Sequence, residues 1–309
     1  MKNKLRKNYK FILGMIFGIV ISASSVYAAT VLTSKEVSYD NTNSKLSSTN
    51  VKDAIDEVNE KATTKLEEAE KSCPKGYICT IEPLSFKNDS WTTISANVKA
   101  GKATQYKVGD TKEIDMGDLG THTVRVSNTS SCTNGETSET ACGFVVEFAD
   151  IISLQRMNST DDNRGGWPSS AMRTYVNGTV YNALPSDLQS VITETKVISG
   201  HGATPGATNY VSNDKLYLLS PKEIWNDNQK YDTARAETRQ LDYYKNKGVT
   251  LSNYSEAIKQ YNGSDKFWWL RSANSSDINY FLIARSYGDL YHVYASSTYG
   301  VAPAFRIAQ

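Results

Sequence analysis

The sequence predicts a mixed α+β domain that follows a helical stalk, and three patterns along the chain support this prediction. Residues 50–70 contain no Gly or Pro, and their apolar residues have the spacing of a helix seam. Residues 91–148 hold short apolar runs separated by turn residues, which is typical of strands. Residues 171–191 return to short helical patterns. Strands and helices in separate runs along one chain favour the α+β class.

Composition and charge limit the classes of function. A chain of 309 residues, of which 39% are hydrophobic, can bury a substantial core. The formal net charge is +1, so there is no overall basic footprint for nucleic acid and no acidic tail. We therefore expect a globular domain whose partner is not a nucleic acid.

The N-terminal residues have the pattern of an export signal. Five basic residues between Lys2 and Lys10 precede the apolar run Phe11–Ile21, which is followed by small residues that end at Ala28. This pattern predicts a signal peptide that is cleaved after Ala28. A retained membrane anchor is the alternative, since the apolar run and the residues after it are close to the shortest membrane span. Both alternatives put the rest of the chain outside the cytoplasm, as a secreted or cell-surface protein.

The four cysteines agree with export because they fall into two close pairs. Their spacing favours two local disulfides, Cys73–Cys79 and Cys132–Cys142. A zinc site would need closely spaced ligands with histidine nearby, and the three histidines are scattered along the chain. We therefore expect no metal and no cofactor.

The chain divides into a signal, a stalk and one large domain. The signal peptide occupies residues 1–28, and residues 29–49 are assigned to a polar cap and linker. A helical stalk is predicted over residues 50–71. Residues 72–84 form a linker bounded by the first cysteine pair, and residues 85–309 form the main domain.

The stalk has the apolar seam of a short coiled coil. Its seam residues alternate four and three positions apart, with Lys65 as an interruption: Val51, Ile55, Val58, Ala62 and Ala69. Thr49 is the predicted N-cap. This seam predicts a homo-oligomer formed through residues 50–70. The alternative is a monomeric helix that packs on its own domain.

The stretch SYDNTNSKLSSTNVKDAIDEVNEKA, residues 38–62, resembles the stalk segment of many phage tail-fibre and bacterial surface proteins. In those proteins the segment looks like a small strand-and-turn cap that leads into an oligomeric, often trimeric, coiled coil. A virion role is not expected for this chain, because it begins with a signal peptide and phage fibres are assembled in the cytoplasm.

Short runs predict the elements of the main domain. The predicted strands are residues 91–98, 105–108, 121–126, 144–148 and 215–220. The predicted helices are residues 171–176, 184–191 and 252–260. Residues 200–206 must form a loop because they contain three Gly and a Pro. The second cysteine pair brackets a hairpin tip at residues 133–141.

The last stretch of the chain has two apolar frames around a polar middle. Residues 267–270 and 301–307 are aromatic or branched and predict buried strands. The middle is dense in Tyr, Ser, Asn and Asp, which is typical of binding loops because Tyr offers a large contact area at low entropy cost. The alternative is an exposed meander in which Tyr occupies strand positions. The candidate ligand-binding residues are Asn274, Asp277, Asn279, Tyr280, Tyr287, Asp289, Tyr291, His292, Tyr294 and Tyr299, interleaved with Ser275, Ser286, Ser296 and Ser297.

Five motifs of the main domain together resemble a known family. They are YKVGD at residues 106–110, NRGGW with SAMR at 163–173, DKLYLLS at 214–220, WWLRS at 268–272 and GVAPAF at 300–305. In order and spacing they resemble a domain of unknown function that is widespread in exported proteins of Gram-positive gut bacteria. The resemblance covers about residues 85–309.

That family is similar to C-type-lectin-like folds, in which a late WWLRS-type strand and a terminal GVRPAF strand frame a ligand-facing surface. The resemblance therefore implies a C-type-lectin-like mixed domain of short strands and helices. The chain departs from the family at Ala302, where Arg is usual, so no role is assigned to that position. Arg173, Arg271 and Arg306 match the family, and we expect them to brace loops through hydrogen bonds to main-chain carbonyls.

Catalysis is not expected. The C-type-lectin-like fold also hosts formylglycine-generating-enzyme-like oxidases, which use a pair of cysteines late in the domain, and here no Cys follows Cys142. The sequence has no GxSxG, HExxH, P-loop or GxGxxG motif. Asp161, Asp162, Glu223 and Asp227 could supply paired carboxylates for glycan hydrolysis, and solvated loop carboxylates are the favoured alternative.

We therefore expect an exported, adhesin-like binding module that recognises a host or bacterial surface protein or glycan through loops 274–299. One alternative is a structural cell-surface protein without a ligand. A less favoured alternative is an unrecognised glycan hydrolase. A membrane partner is expected only if the signal segment is retained as an anchor.

Overall fold

The computed structural model describes residue 38 and residues 46–71, 85–226 and 230–307, and of residues 62–71 it describes only the main chain. The chain divides into two compact units, Met1–Ile81 and Glu82–Gln309. The predicted signal peptide, the predicted linker at residues 72–84 and the predicted Cys73–Cys79 disulfide lie outside the described residues. Within the described ranges, no helix is both long enough and apolar enough to cross a membrane.

The first unit contains the helix that the stalk pattern predicts, α1 (Val51–Lys71). Its N-cap is Asn50 and not Thr49, since the Asn50 Oδ1 accepts the main-chain N–H of Asp53 at 2.9 Å. The Asn50 Nδ2 also donates to the Asp53 carboxylate at 2.8 Å, so this pair closes the first turn from both sides. The prediction of Thr49 as the cap is therefore wrong by one residue.

Glu57 ties the polar segment before the helix to α1. Its carboxylate accepts the main-chain N–H groups of Ser47 and Ser48 at 2.9–3.0 Å. The Ser48 hydroxyl also donates to this carboxylate, and Lys61 forms an ion pair with it one turn later. Hydrogen bonds from Lys61 and Ser48 lower the pKa of Glu57 well below its ordinary value. The cap and the first two turns of α1 thus form one hydrogen-bonded piece.

The second unit is a mixed α+β domain, as predicted, in which strands dominate and the helices are short. Its described helices are α2 (Trp91–Lys99), α3 (Ala171–Tyr175), α4 (Tyr181–Ala183), α5 (Ser186–Gln189), α6 (Pro221–Ile224) and α7 (Asp242–Asn246). A π-helical turn, Val176–Val180, joins α3 to α4.

Helix α2 occupies residues that were predicted to be a strand. Its buried residues are Trp91, Ile94, Ser95 and Val98, which are spaced three and four apart and so form one helical face. Ser90 caps the helix by accepting the N–H of Thr93 at 3.1 Å. The β-branched residues of this run favour a strand. The helix forms because it packs the face that contains Trp91 on the core, and this packing outweighs the strand preference. The strand predicted at residues 105–108 is also wrong, because a 3₁₀ turn, Ala103–Gln105, ends there.

The strands of the second unit form two main sheets and two hairpins. The strands are β1 (Thr111–Asp115), β2 (Thr121–Asn128), β3 (Phe144–Phe148), β4 (Ser153–Arg156), β5 (Ile192–Thr193), β6 (Thr195–Ser199), β7 (Tyr210–Asp214), β8 (Tyr217–Leu218), β9 (Lys259–Tyr261), β10 (Ser264–Lys266), β11 (Trp268–Ala273), β12 (Tyr280–Ala284), β13 (Leu290–Tyr294), β14 (Thr298–Val301) and β15 (Pro303–Ile307). Within the described residues, one sheet has the order β1-β2-β3-β15-β5 with β8 also on β15, and the other has the order β13-β12-β11-β14-β4. The strands predicted at residues 121–126 and 144–148 are confirmed as β2 and β3.

The helix predicted at residues 252–260 is wrong. A 3₁₀ turn, Ser255–Ala257, is followed by β9, which pairs with β10 in a tight hairpin. Asn262 and Gly263 form the two-residue turn with φ angles of 51° and 72°, the left-handed conformation that Asn-Gly turns favour. The Asn-Gly dipeptide was the signal for this hairpin.

The two apolar frames of the C-terminal stretch are buried strands, as predicted. Trp268 and Trp269 open β11, and Phe305 lies in β15 at the middle of the larger sheet; all three side chains are completely buried. The indole N–H of Trp268 donates to the carbonyl of Ala257 at 3.0 Å, and that of Trp269 donates to the carbonyl of Gln155 at 2.8 Å. These strands form the rigid base from which the polar middle projects.

A buried charge cluster links β3 to β9. The Glu147 carboxylate accepts from Arg125 Nε at 2.9 Å and from Lys259 Nζ at 3.1 Å. Burial alone would raise the pKa of Glu147, but the charges of Arg125 and Lys259 outweigh burial and lower it to about 2. Burial lowers the pKa of Lys259 to about 8 in spite of the Glu147 charge.

The predicted disulfide between Cys132 and Cys142 is confirmed, with Cα atoms 5.0 Å apart. It closes the connection between β2 and β3, which pair as antiparallel neighbours. Arg306 braces the same connection by donating to the carbonyl of Cys142 at 2.9 Å.

Candidate functional site

The polar middle of the C-terminal stretch is a β-hairpin and not a set of loops. Strands β12 and β13 pair in register from Tyr280 opposite Tyr294 to Ala284 opposite Leu290. The alternative of a meander with Tyr at strand positions therefore describes the local structure better than the prediction of binding loops. Short loops remain on either side of the hairpin and at its tip.

The hairpin has a buried strand and an exposed strand. Phe281, Leu282, Ile283 and Ala284 of β12 are buried. By contrast, three tyrosines of the tip and of β13 are exposed: Tyr287 by 68%, Tyr291 by 46% and Tyr294 by 50%. The hairpin thus presents large aromatic side chains to solvent on a fully packed support.

Five aromatic rings meet on this hairpin. We call them the aromatic surface: Tyr231, Tyr280, Tyr291, His292 and Tyr294. The ring centroids of Tyr280 and Tyr294 are 4.8 Å apart, and that of His292 is 5.0 Å from Tyr280 and 5.9 Å from Tyr231. Tyr291 stacks on His292 at 4.8 Å with an interplanar angle of 6°. A hydrogen bond with Tyr294 raises the pKa of Tyr280 to about 12.

The charges beside the aromatic surface are paired or lie over a ring. Arg285 Nε donates to Asp289 at 3.0 Å, and a second guanidinium nitrogen forms an ion pair with the same carboxylate. The Arg285 guanidinium also lies 4.6 Å from the Tyr291 ring centroid. Lys230 Nζ lies 4.8 Å from the Tyr231 ring centroid. The surface is therefore aromatic, with an Arg–Asp ion pair at one end and one cation over the Tyr231 ring.

Several predicted site residues shape the loop before the hairpin. Asn274 is completely buried, and its Oδ1 accepts the N–H and O–H of Ser276 at 2.8 and 2.7 Å. Asp277 accepts the N–H of Asn279 at 2.8 Å, and Ser275 donates its N–H to the carbonyl of Tyr231 at 3.1 Å. Asn274 is thus an internal support and is not part of the aromatic surface.

Two other predicted residues also have structural partners. Tyr299 packs on Phe267 at 5.3 Å and on Trp269 at 5.5 Å between ring centroids, at the base of the sheet. Asp289 is the ion-pair partner of Arg285 at the hairpin tip. Of the predicted residues, the structure brings Tyr280, Tyr291, His292 and Tyr294 into contact and leaves Tyr287 at the exposed tip.

Asn163 and Tyr231 were missed by the sequence patterns. The buried Nδ2 of Asn163 donates to the carbonyls of Asn274, Asp277 and Tyr280 at 2.8–3.0 Å, so it sets the path of the loop into β12. Tyr231 joins the aromatic surface from a segment far away in the chain. The NRGGW motif contains Asn163 and could have indicated it. No local pattern in the sequence indicates Tyr231.

Three of the four carboxylates considered for hydrolysis are described, and each has its own hydrogen-bond or ion-pair partner. Glu223 is completely buried, and Arg271 donates to its two oxygens at 2.6 and 2.5 Å. Asp162 is paired with Arg164, and Asp161 accepts the N–H of Ser296 at 3.0 Å. The fourth candidate, at position 227, lies outside the described ranges. Among the residues that are described, no three His, Cys, Asp or Glu side chains gather as a metal-binding group.

A separate cavity of about 490 Å³ lies beside the β6–β7 hairpin. Two of its polar residues bind each other: Thr233 Oγ1 donates to Asn209 Oδ1 at 2.7 Å, and Asn209 Nδ2 donates to the carbonyl of Thr233 at 3.1 Å. The main-chain N–H of His201 also donates to Thr233 Oγ1 at 3.1 Å. Thr233 and Asn209 thus satisfy each other, while the buried Nδ1 of His201 has no hydrogen-bond partner in the described part of the chain, and we assign no ligand to this cavity.

Comparison with known proteins gives one positive finding. Neither a curated protein nor a solved structure matches the chain significantly. A family model described as a domain of unknown function, DUF6273, matches residues 145–309. The match begins in β3 and includes both apolar frames and the whole β12–β13 hairpin. Because the match covers more than half of the sequence, the chain belongs to the DUF6273 family.

Proposed function

We propose that this chain is an exported binding module of the cell surface and that its contact surface is the aromatic surface of the β12–β13 hairpin. One observation carries the proposal: exposed aromatic rings project from β13, whose neighbouring strand β12 is buried from Phe281 to Ala284. Large aromatic side chains on a rigid support bind without much loss of entropy.

The energetics of the hairpin favour this role. Burial of Phe281, Leu282 and Ile283 stabilises the hairpin by about 1.5–3 kcal/mol for each side chain, so it does not need its exposed tyrosines to fold. Tyr291 and Tyr294 remain about half exposed, and each can bury its remaining area against a partner. Tyrosine is enriched among the residues that dominate binding energy at protein contacts.

The other expectations fit the same role. Export is supported by the signal-like N-terminal pattern and by the Cys132–Cys142 disulfide, since disulfides persist in oxidising compartments. A C-type-lectin-like fold is supported by the terminal strand β15 within one sheet and by the WWLRS strand β11 within the other. A coiled-coil stalk is supported by α1 and by the half-exposed seam of Val51, Ile55 and Val58.

The test is direct binding of the full chain to a panel of glycans and purified surface proteins. We expect at least one ligand, and we expect the double variant Tyr291→Ala/Tyr294→Ala to lose it. Val211→Ala is the matched control, because Val211 is 58% exposed on β7 and outside the aromatic surface. A structural protein without a ligand would bind nothing on the panel. Binding that the double variant retains would place the contact surface elsewhere.

A further inference from the structure

Strand β13 is an edge strand whose outer side has no partner in the described part of the chain. It is the terminal strand of its sheet and pairs only with β12 there. The N–H of Ala295 donates to Asn279 and the N–H of Arg285 donates to Asp289, both at 2.9 Å, which fixes the hydrogen-bonded positions of the antiparallel pair. By this alternation, the main-chain groups of Leu290 and His292 point away from β12.

In the described part of the chain, the other outer strands of the two main sheets have features that discourage strand addition. The outer strand β1 carries Lys112, Glu113 and Asp115 along its length. The outer strand β4 ends at Arg156, and β5 is only two residues long. Charges and short length are the usual means by which native sheets avoid edge-to-edge pairing.

Strand β13 has none of these features. Its sequence, LYHVY, contains no Lys, Arg, Asp, Glu or Pro, and the five residues pair with β12 without a bulge. The charges beside it are the mutually paired Arg285 and Asp289 at one end and Lys230, which lies over the Tyr231 ring. An added strand that matched β13 would therefore be uncharged, because β13 itself offers a charged side chain no counter-charge.

The rings of β13 flank the edge and are already in contact with one another. Tyr291 stacks on His292 and has the Arg285 guanidinium over its ring, and Tyr294 packs against Tyr280. These contacts reduce the free ring face that a sugar would need for stacking. Tyr291 and Tyr294 instead lie on opposite faces of β13, and both are exposed. The side chains of an added strand would alternate between these same two faces.

We propose that the ligand of this module is an extended, uncharged polypeptide segment that adds to the sheet as a strand antiparallel or parallel to β13. Its main chain hydrogen-bonds to Leu290 and His292, which gives affinity, and its alternate side chains pack on Tyr291 and Tyr294, which gives specificity. This inference rests on the proposed function and names the class of its ligand.

The test uses a displayed library of random twelve-residue peptides panned on the full chain, followed by affinity measurements on the enriched peptides. His292→Pro removes the outward N–H, which an edge strand tolerates because that N–H is not used in the sheet. His292→Ala is the matched control, since it removes the imidazole and keeps the N–H. We expect His292→Pro to weaken binding by about tenfold or more relative to His292→Ala.

A second measurement on the peptide itself does not depend on the folding of any variant. Methylation of single main-chain nitrogens of the peptide should weaken binding at every second residue, because only alternate N–H groups of an added strand face β13. If methylation weakened binding at consecutive residues without this alternation, the inference would be overturned. Equal binding by His292→Pro and His292→Ala, both with wild-type melting curves, would also overturn it.

Other occupants give different results. If glycans bind and no peptide is enriched, the binding module stands and the peptide ligand is wrong. If the chain self-associates and His292→Pro abolishes this, the edge pairs with a second copy and the inference is also wrong. If peptides bind and Tyr291→Ala/Tyr294→Ala binds them as well as the wild type, the aromatic surface is not the contact surface and the proposed function fails.

Discussion

Arg271 and Glu223 form a bidentate ion pair in which both side chains are completely buried. Arg271 also donates to the carbonyl of Leu218 at 2.9 Å, and Glu223 accepts the hydroxyl of Thr238 at 3.0 Å. The pair thus links β11 to the start of α6. Arg271 does donate to main-chain carbonyls, as expected, but these carbonyls lie in strands β6 and β8 and not in loops, and its main partner is a carboxylate.

Arg271→Met should destabilise the second unit strongly, because it leaves the Glu223 charge buried without its partner. We expect a loss of about 3–5 kcal/mol in the free energy of unfolding by chemical denaturation. Arg164→Ala is the control, because its pair with Asp162 is exposed and should change stability by no more than about 1 kcal/mol. Similar small effects for both variants would contradict the importance of the buried pair.

Acid should weaken the fold through Glu147. Its pKa in the folded protein is about 2, below the ordinary value of 4.5, so its stabilising contribution is complete above pH 4.5 and is lost as the pH falls toward 2. Glu147→Gln should therefore be less stable at neutral pH and should show a shallower decline between pH 4.5 and 2. Denaturation midpoints across this range test the prediction, with the exposed Glu113→Gln as control. Parallel curves for wild type and Glu147→Gln would refute it.

The sequence could predict the buried strands that support the site, but it could not predict every residue of the aromatic surface. Trp268, Trp269 and Phe305 stand in local runs that are too apolar to be exposed, so sequence patterns alone predict their burial. The aromatic surface also depends on Tyr231, which folding brings to His292 from a distant segment of the chain. Such contacts between distant segments leave no periodic pattern in the sequence.

Two local errors have specific physical causes. Trp91 to Val98 contains Thr, Ile and Val and matches a strand by propensity, yet burial on one helical face outweighs a preference that differs by only about 1 kcal/mol across residue types. The helix predicted at residues 252–260 overlooked Asn262-Gly263, whose left-handed conformation fixes a hairpin. Attention to turn residues would have corrected the second error but not the first.

The stalk should self-associate through its seam. Ile55→Asp places a charge on the seam and should shift the full chain to a monomer in sedimentation experiments, because a buried unpaired charge is costly. Asp56→Ala is the control, since Asp56 is exposed and away from the seam. A wild-type chain that is monomeric at tens of micromolar, about the concentration that so short a coiled coil needs, would show that α1 does not oligomerise.

Thermal stability should separate the frame from the aromatic surface. Trp269→Ala should cost about 3–5 kcal/mol, because it empties a completely buried site and removes the hydrogen bond to Gln155. Tyr287→Ala, Tyr291→Ala and Tyr294→Ala should each change stability by about 0.5 kcal/mol or less, because the lost side chains are exposed. Tyrosine variants that melt as early as Trp269→Ala would make these residues part of the core.

The most direct test of the binding proposal is the affinity of the single tyrosine variants for a ligand of the wild-type chain. With melting temperatures unchanged, Tyr291→Ala or Tyr294→Ala should weaken binding by about 2 kcal/mol or more, which is roughly a thirtyfold increase in the dissociation constant. The exposed Val211→Ala should leave it unchanged. Wild-type affinity in both tyrosine variants would contradict a contact surface on the β12–β13 hairpin.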